Sequence, residues 1–158
     1  MGYTDRVAQP DDAAFIVALH AAPHARPFVH APTEEQVREA IAAAGGPEQR
    51  IILDGDGTPV GMWMLQLHGD WLAELVRIVA IAPNRGIGTF AMERMIARAF
   101  DDLGAHRAYL EVVGANPARR LYERFGFRLE GTWRDGYRNE DGTYADLCGY
   151  GMLGSDRR

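Results

Sequence analysis

Two short segments and one carboxylate carry the residue types that can do chemistry in this chain. The first segment is Arg85-Gly86-Ile87-Gly88-Thr89, which follows an apolar strand and opens a helix. Gly86 and Gly88 let a backbone approach a phosphate where a Cβ would intrude, and Thr89 adds a hydroxyl. The first amides of a helix have no partner inside it and sit at its positive end, so successive N–H groups here suit a pyrophosphate. The second segment runs Asn116-Pro117-Ala118-Arg119-Arg120-Leu121-Tyr122-Glu123-Arg124-Phe125-Gly126-Phe127. It reads as a short helix with Asn116 as N-cap, Pro117 as first helical residue and Tyr122 on the apolar face. The Tyr122 phenol can donate a proton, and as a core hydroxyl it would need a satisfied partner. Glu74, in the strand that leads to the glycine turn, can pair with Arg77 at the strand edge.

The glycine turn has a rival reading. Gly86-x-Gly88-x-x-Ala91 satisfies a dinucleotide fingerprint, and Glu111 follows about 20 residues on, as a ribose-binding acid would. That would make the chain an NAD(P)-binding oxidoreductase. Too little chain follows for a doubly wound sheet, and the residues before the turn read as a hairpin. Glu111 also falls inside its strand rather than at the strand's C-terminal end.

Composition narrows the classes further. A chain of 158 residues with 47% hydrophobic residues suits one compact domain. A net charge of −5 argues against a nucleic-acid binder, which carries a basic stripe. The N-terminal residues hold no apolar signal core, Arg6 breaks the myristoylation pattern, and no apolar run spans a bilayer. The expectation is a cytoplasmic protein without membrane contact. Cys148 is the only cysteine, and no Cys/His spacing suggests a metal site. The chain has no lysine, which removes both a Walker-type phosphate loop and Schiff-base chemistry.

The elements that must position these groups follow from periodicity and breakers. A short strand near Tyr3–Ala8 precedes a helix started by Asp11 and Asp12, with Phe15, Ile16 and Leu19 on one face. A breaker-rich loop, Pro23–Pro32, leads to a capping box of Thr33 and Gln36 and a helix that Gly45-Gly46 ends. Strands at Gln49–Leu53 and Val60–Leu67 flank the turn Asp54-Gly55-Asp56-Gly57. His68-Gly69-Asp70 turns into a third strand, Leu72–Ala82. A long helix over Gly86–Leu103 follows, then a strand at Arg107–Val113, the tyrosine helix, and strands at Phe127–Trp133 and Tyr144–Met152. Antiparallel strands before a parallel crossover indicate an α/β (α+β) domain built on a mixed sheet.

Ile78-Val79-Ala80-Ile81-Ala82-Pro83-Asn84-Arg85-Gly86-Ile87-Gly88-Thr89 resembles the coenzyme A motif of the GNAT superfamily of N-acetyltransferases. Asn116–Phe127 resembles the superfamily's tyrosine helix. Pro83 stands where the family carries Arg or Gln, the loop is a few residues short, and Ala118 comes one residue early. Short loops of this kind resemble the branch that acetylates ribosomal-protein N-termini and small-molecule amines. The resemblance implies a single GNAT-like domain over residues 1–158, with a mostly antiparallel central sheet and helices on both faces. It implies acetyl-CoA as co-substrate, contacted by Ile81, Arg85, Gly86, Ile87, Gly88, Thr89, Asn116 and Arg119 (or its neighbour Arg120), with no metal. Tyr122 becomes the acid that protonates the departing thiolate, and Glu74 the base for the acceptor. The acceptor would be a small-molecule amine, an amino acid or a protein N-terminus that attacks directly in a ternary complex. Pro23–Pro32 and Trp133–Glu140 would contact it. His24 and His30 read as solvated loop histidines, and Cys148 as buried and inert. A homodimer is the family-level expectation, and a non-catalytic acyl-CoA-binding module is the alternative. An acetyltransferase without lysine cannot acetylate its own lysines.

Overall fold

The computed structural model describes residues 2–157. Among them are strands β1 (Thr4–Val7), β2 (Glu48–Leu53), β3 (Pro59–His68), β4 (Leu72–Ala80), β5 (Arg107–Val113), β6 (Arg128–Arg138) and β7 (Tyr144–Leu153). The α-helices are α1 (Ala13–Ala21), α2 (Glu34–Ala42), α3 (Ile87–Ala97) and α4 (Arg119–Arg124). The strands hydrogen-bond in the order β1-β2-β3-β4-β5-β7-β6. β4 and β5 run parallel, while β1–β2, β2–β3, β5–β7 and β6–β7 are antiparallel. This is the mixed, mostly antiparallel sheet expected from the element order. The chain packs as two compact units.

The first unit comprises the chain up to Gln66 together with Val76–Glu93. Its hairpin turn forms as the Asp-Gly pattern requires. Asp54 Oδ1 accepts the amides of Asp56 and Thr58, both at 2.9 Å, and Gly57 takes φ +80°. The capping box of α2 is present, with Gln36 N donating to Thr33 Oγ1 at 3.1 Å and Thr33 N to Gln36 Oε1 at 2.9 Å. That helix stops at Ala42, before Gly45-Gly46, because Ala43 is already extended. Ile16, Leu19, Val37, Ile51, Met62 and Val79 are buried together. The Asp5 side chain, only 3% exposed, is held by Trp63 Nε1 at 2.9 Å and by Arg50 Nε and Nη2 at 3.1 and 3.0 Å. A buried carboxylate is tolerated only with such partners.

β3 approaches β4 and α3 closely at Gly61. A Cβ built there would lie 2.9 Å from the Val79 carbonyl oxygen and 3.0 Å from Ile87 Cγ2. No side chain fits, so glycine is what lets the first residue of α3 seat against the sheet. Ile87 is buried, and the helix start is thereby fixed.

The second unit comprises Leu67–Leu75 and the chain from Arg94 onward. β5 pairs with β4 at Leu72–Glu74 and with β7 along its whole length. Two expectations change here. The single helix expected to reach Leu103 is α-helical only to Ala97 and then becomes a π-helical turn, Arg98–Asp102, with Leu103 N bonded to Arg98 O at 3.0 Å. The strand expected to end at Trp133 continues to Arg138. Asp135 takes φ +53° and its amide donates to Asp146 Oδ1 at 3.1 Å, so a bulge carries the pairing past the charged stretch. Cys148 is buried in β7 as expected.

Gly61→Ala forces a methyl against a backbone carbonyl, which cannot rotate away. The variant is expected to lose about 1–3 kcal/mol of stability, read as a lower midpoint in urea unfolding monitored by circular dichroism. An unchanged midpoint would mean that β3 and α3 separate at no cost.

Candidate active site

The glycine turn is held from behind by the first unit. β4 ends at Ala80, and Ile81 N donates to Val60 O at 2.9 Å. That amide is therefore engaged in the sheet, while Ile81 as a residue is 39% exposed. Asn84 and Gly86 then take φ +60° and +78°, so two left-handed residues bend the chain into α3. Gly86 is required by its φ rather than by crowding, since a Cβ there would meet nothing nearer than Tyr3 Cε2 at 3.9 Å. The first helical bond runs from Phe90 N to Gly86 O at 3.0 Å. The amides of Ile87 and Gly88 lie ahead of it, where the helix cannot use them. These features fit the pyrophosphate of coenzyme A.

Two side chains missed in the sequence lock this turn. The Tyr3 hydroxyl donates to Arg85 O at 2.7 Å, and its ring lies 5.8 Å from that of Phe90. His24 Nε2 donates to Ala80 O at 2.7 Å, so this histidine is half-buried against the strand end rather than solvated. Arg85 itself is exposed, and Thr89 is half-buried in the first turn of α3.

The tyrosine helix begins later than its sequence suggests. Asn116 Oδ1 accepts from Ala118 N at 2.9 Å, and Asn116 O accepts from Arg119 N at 3.2 Å. Asn116 thus closes a turn on its own backbone two residues on, and α4 starts at Arg119. Arg119 is turned into the second unit, with Nε donating to Tyr150 Oη and Nη1 to Gly114 O, both at 2.8 Å. Tyr150 in turn donates to Glu123 Oε1 at 2.7 Å. Arg120 beside it is exposed. Tyr122 lies half-buried with its ring 6.4 Å from Tyr150, and burial pushes its phenol up to about 12. The group is a phenol, never a phenolate, throughout the physiological range.

Glu74 sits in a cluster of three. His68 Nε2 lies 2.8 Å from Glu74 Oε2, and Tyr109 stands opposite Glu74 in the parallel pairing with its ring 6.3 Å from that of His68. Burial first, and then the neighbouring Glu74 carboxylate, push the Tyr109 phenol up to about 12. Tyr109 is therefore a neutral phenol beside that carboxylate. Arg77, the partner considered for Glu74, instead donates to His20 Nε2 at 3.2 Å. His20 Nδ1 donates to Ile16 O at 2.7 Å, and burial holds this histidine neutral by lowering its pKa. Neither His68 nor Tyr109 was evident from the sequence. His68-Gly69-Asp70 reads as a turn, yet the tightness of that turn is the signal that returns β4 past His68. Glu111, the ribose acid of the dinucleotide reading, lies within β5 and is exposed.

Among the described residues no group of three or more His, Cys, Asp or Glu side chains is arranged around a metal position. No helix among them is long and apolar enough to cross a membrane.

No curated protein matches the chain. Solved structures do. A spermidine N-acetyltransferase from Vibrio cholerae in complex with CoA and spermine superposes with a TM-score of 0.83 at 24% identity, over 98% of this chain and 96% of that one. An acetyltransferase of the GNAT family from Streptococcus pneumoniae gives 0.77 at 23% identity, over 96% and 99%. These likenesses establish the fold. The family model for the acetyltransferase (GNAT) family matches residues 13–127, which include the glycine turn, Glu74 and Tyr122. With that match, this chain belongs to the acetyltransferase (GNAT) family, enzymes that move an acetyl group from acetyl-CoA to an amine.

Proposed function

We propose that the chain acetylates a small, cationic primary amine, with polyamines the first class to try. The observation that carries this reading is Glu74, an anchored carboxylate on the strand that leads into the glycine turn. A protonated amine is attracted to a carboxylate and must lose a proton before it can attack. The net charge of −5 favours a cationic acceptor over a phosphate-rich one. The names of similar structures, spermidine N-acetyltransferases among them, support the same class.

In this reading the turn through Arg85, Gly86, Ile87, Gly88 and Thr89 receives the pyrophosphate on backbone amides. Ile81 and Asn116 border the pantetheine arm, and Arg119 or the more exposed Arg120 meets the ribose phosphate. The neutral amine attacks the thioester carbonyl; a C–N bond forms and the carbonyl π pair moves to oxygen. Collapse re-forms the carbonyl and breaks the C–S bond, releasing a thiolate. Tyr122 donates its O–H to that sulfur. A phenol pushed up to about 12 gives its proton to a thiolate of ordinary affinity, near 8.5, only uphill. Its contribution is therefore a hydrogen bond that strengthens as charge grows on sulfur, with full transfer as the product leaves. The amine's proton departs through the Glu74 cluster.

Three outcomes test this reading. Thiol release from acetyl-CoA should accelerate with spermidine or spermine and much less with a peptide N-terminus or NADH as control; tight acetyl-CoA binding with no accelerating amine would leave only a binding module. Tyr122→Phe should lower kcat about 10²-fold while calorimetry shows an unchanged acetyl-CoA Kd, and the wild-type profile should show no Tyr122 limb between pH 6 and 10. Gly88→Glu should abolish the thermal stabilisation by acetyl-CoA, about 2.7 kcal/mol at a hundredfold excess over Kd; retained stabilisation would move the phosphates elsewhere.

A further inference from the structure

The carboxylate expected to act as base is already engaged. Glu74 lies 2.8 Å, through Oε2, from His68 Nε2, and Tyr109 stands opposite it across the parallel pairing. A carboxylate is acceptor-only, so the hydrogen on this bond belongs to Nε2. With Nε2–H committed to Glu74, a neutral His68 carries its lone pair on Nδ1. That tautomer is imposed by the partner, as in any imidazole whose one nitrogen faces a carboxylate. The His68 side chain is 46% exposed against 27% for Glu74, so the imidazole is the member of the pair more open to a solute.

We propose that His68 is the general base of the reaction and that Glu74 is a positioning residue acting through it. This inference rests on the amine-acetyltransferase reading above and names the atom that reading left open. His68 Nδ1 takes one proton from the acceptor's ammonium, leaving R-NH2 and an imidazolium whose Nε2–H still faces Glu74. The amine lone pair forms the C–N bond, the C–S bond breaks, and the second amine proton departs as the amide forms. One proton ends on the coenzyme A thiol, and the other passes from His68 to solvent through its exposed edge. Glu74 stabilises the imidazolium by charge, with Tyr109 beside it. The ionisable groups facing His68 are Glu74 from β4 and Tyr109 from β5. Glu111 acts on the same Tyr109 phenol, and Asp70 is the carboxylate of the connecting turn.

The test has a turnover arm and a turnover-free arm. In the first, kcat/KM for spermidine, or for whichever panel amine turns over fastest, is measured from pH 5 to 9 in the wild type and in His68→Gln, Glu74→Gln and Tyr109→Phe. The wild type should show a limb along which activity rises with pH. His68→Gln should lose that limb and about 10²-fold in rate at neutral pH, with acetyl-CoA Kd unchanged. Glu74→Gln should keep the limb at a reduced rate, because the ring has lost the carboxylate that orients it. Tyr109→Phe should fall between. A limb that survives His68→Gln and vanishes in Glu74→Gln would make Glu74 the base and overturn the proposal. The second arm is long-range 1H–15N NMR of the free protein, which needs no substrate. Nε2–H with an unprotonated Nδ1, lost in Glu74→Gln, is expected; Nδ1–H in the wild type would overturn the proposal by itself. Absence of turnover with every amine would instead sink the acetyltransferase reading, while the NMR result still decides the tautomer.

Discussion

The close approach at Gly61 is the constraint on which the half that carries the glycine turn depends. A backbone carbonyl of β4 and the first side chain of α3 both come within about 3 Å of where a Cβ would stand. Interiors are packed to crystal-like density, so the missing side chain cannot be replaced by a small shift. Because Ile87 is seated there, the chain from Ala80 to Ile87 has to turn within a few residues. The left-handed conformations of Asn84 and Gly86 are the result. Tyr3 and His24 then tie the carbonyls of Arg85 and Ala80, holding the turn at both ends.

The second unit solves a different problem, that of keeping polar groups fixed without neutralising them. Arg119, Tyr150, Glu123 and the Gly114 carbonyl form one connected set, and His68 and Glu74 form another with Tyr109 beside them. In the first a tyrosine hydroxyl supplies the bond that orients a carboxylate, and in the second a histidine N–H does. Such networks are rigid when every member is satisfied. Tyr122 stands apart from both, since burial is what raises its phenol.

Much of the scaffold was legible in the sequence because it follows from local rules. The Thr33/Gln36 capping box, the Asp-Gly hairpin turn and the span of β5 are each set by residues close in the chain. The glycine turn was legible for the same reason, as φ requirements and helix ends are local. The start of α4 was misjudged because Asn116 chose between two local bonds, capping a helix or closing a turn two residues on, and both use the same oxygen. The extension of β6 past Trp133 was hidden because it needs Asp146 on the neighbouring strand.

By itself the sequence singled out the candidate residues: a glycine turn without lysine, a tyrosine on a short helix, and a carboxylate on the strand between hairpin and turn. It also determined the family, since those motifs lie in one continuous stretch. Only the tertiary structure decided what each group is bonded to. Glu74 meets Tyr109 because parallel pairing sets them opposite across 35 residues of chain, and no local rule specifies that register. Arg77 turns to a buried histidine, and Arg119 to a tyrosine on β7. Hydrogen bonds of this kind are short and directional, so a side chain's role depends on partners within about 3 Å, and sequence separation carries little information about which partners those are.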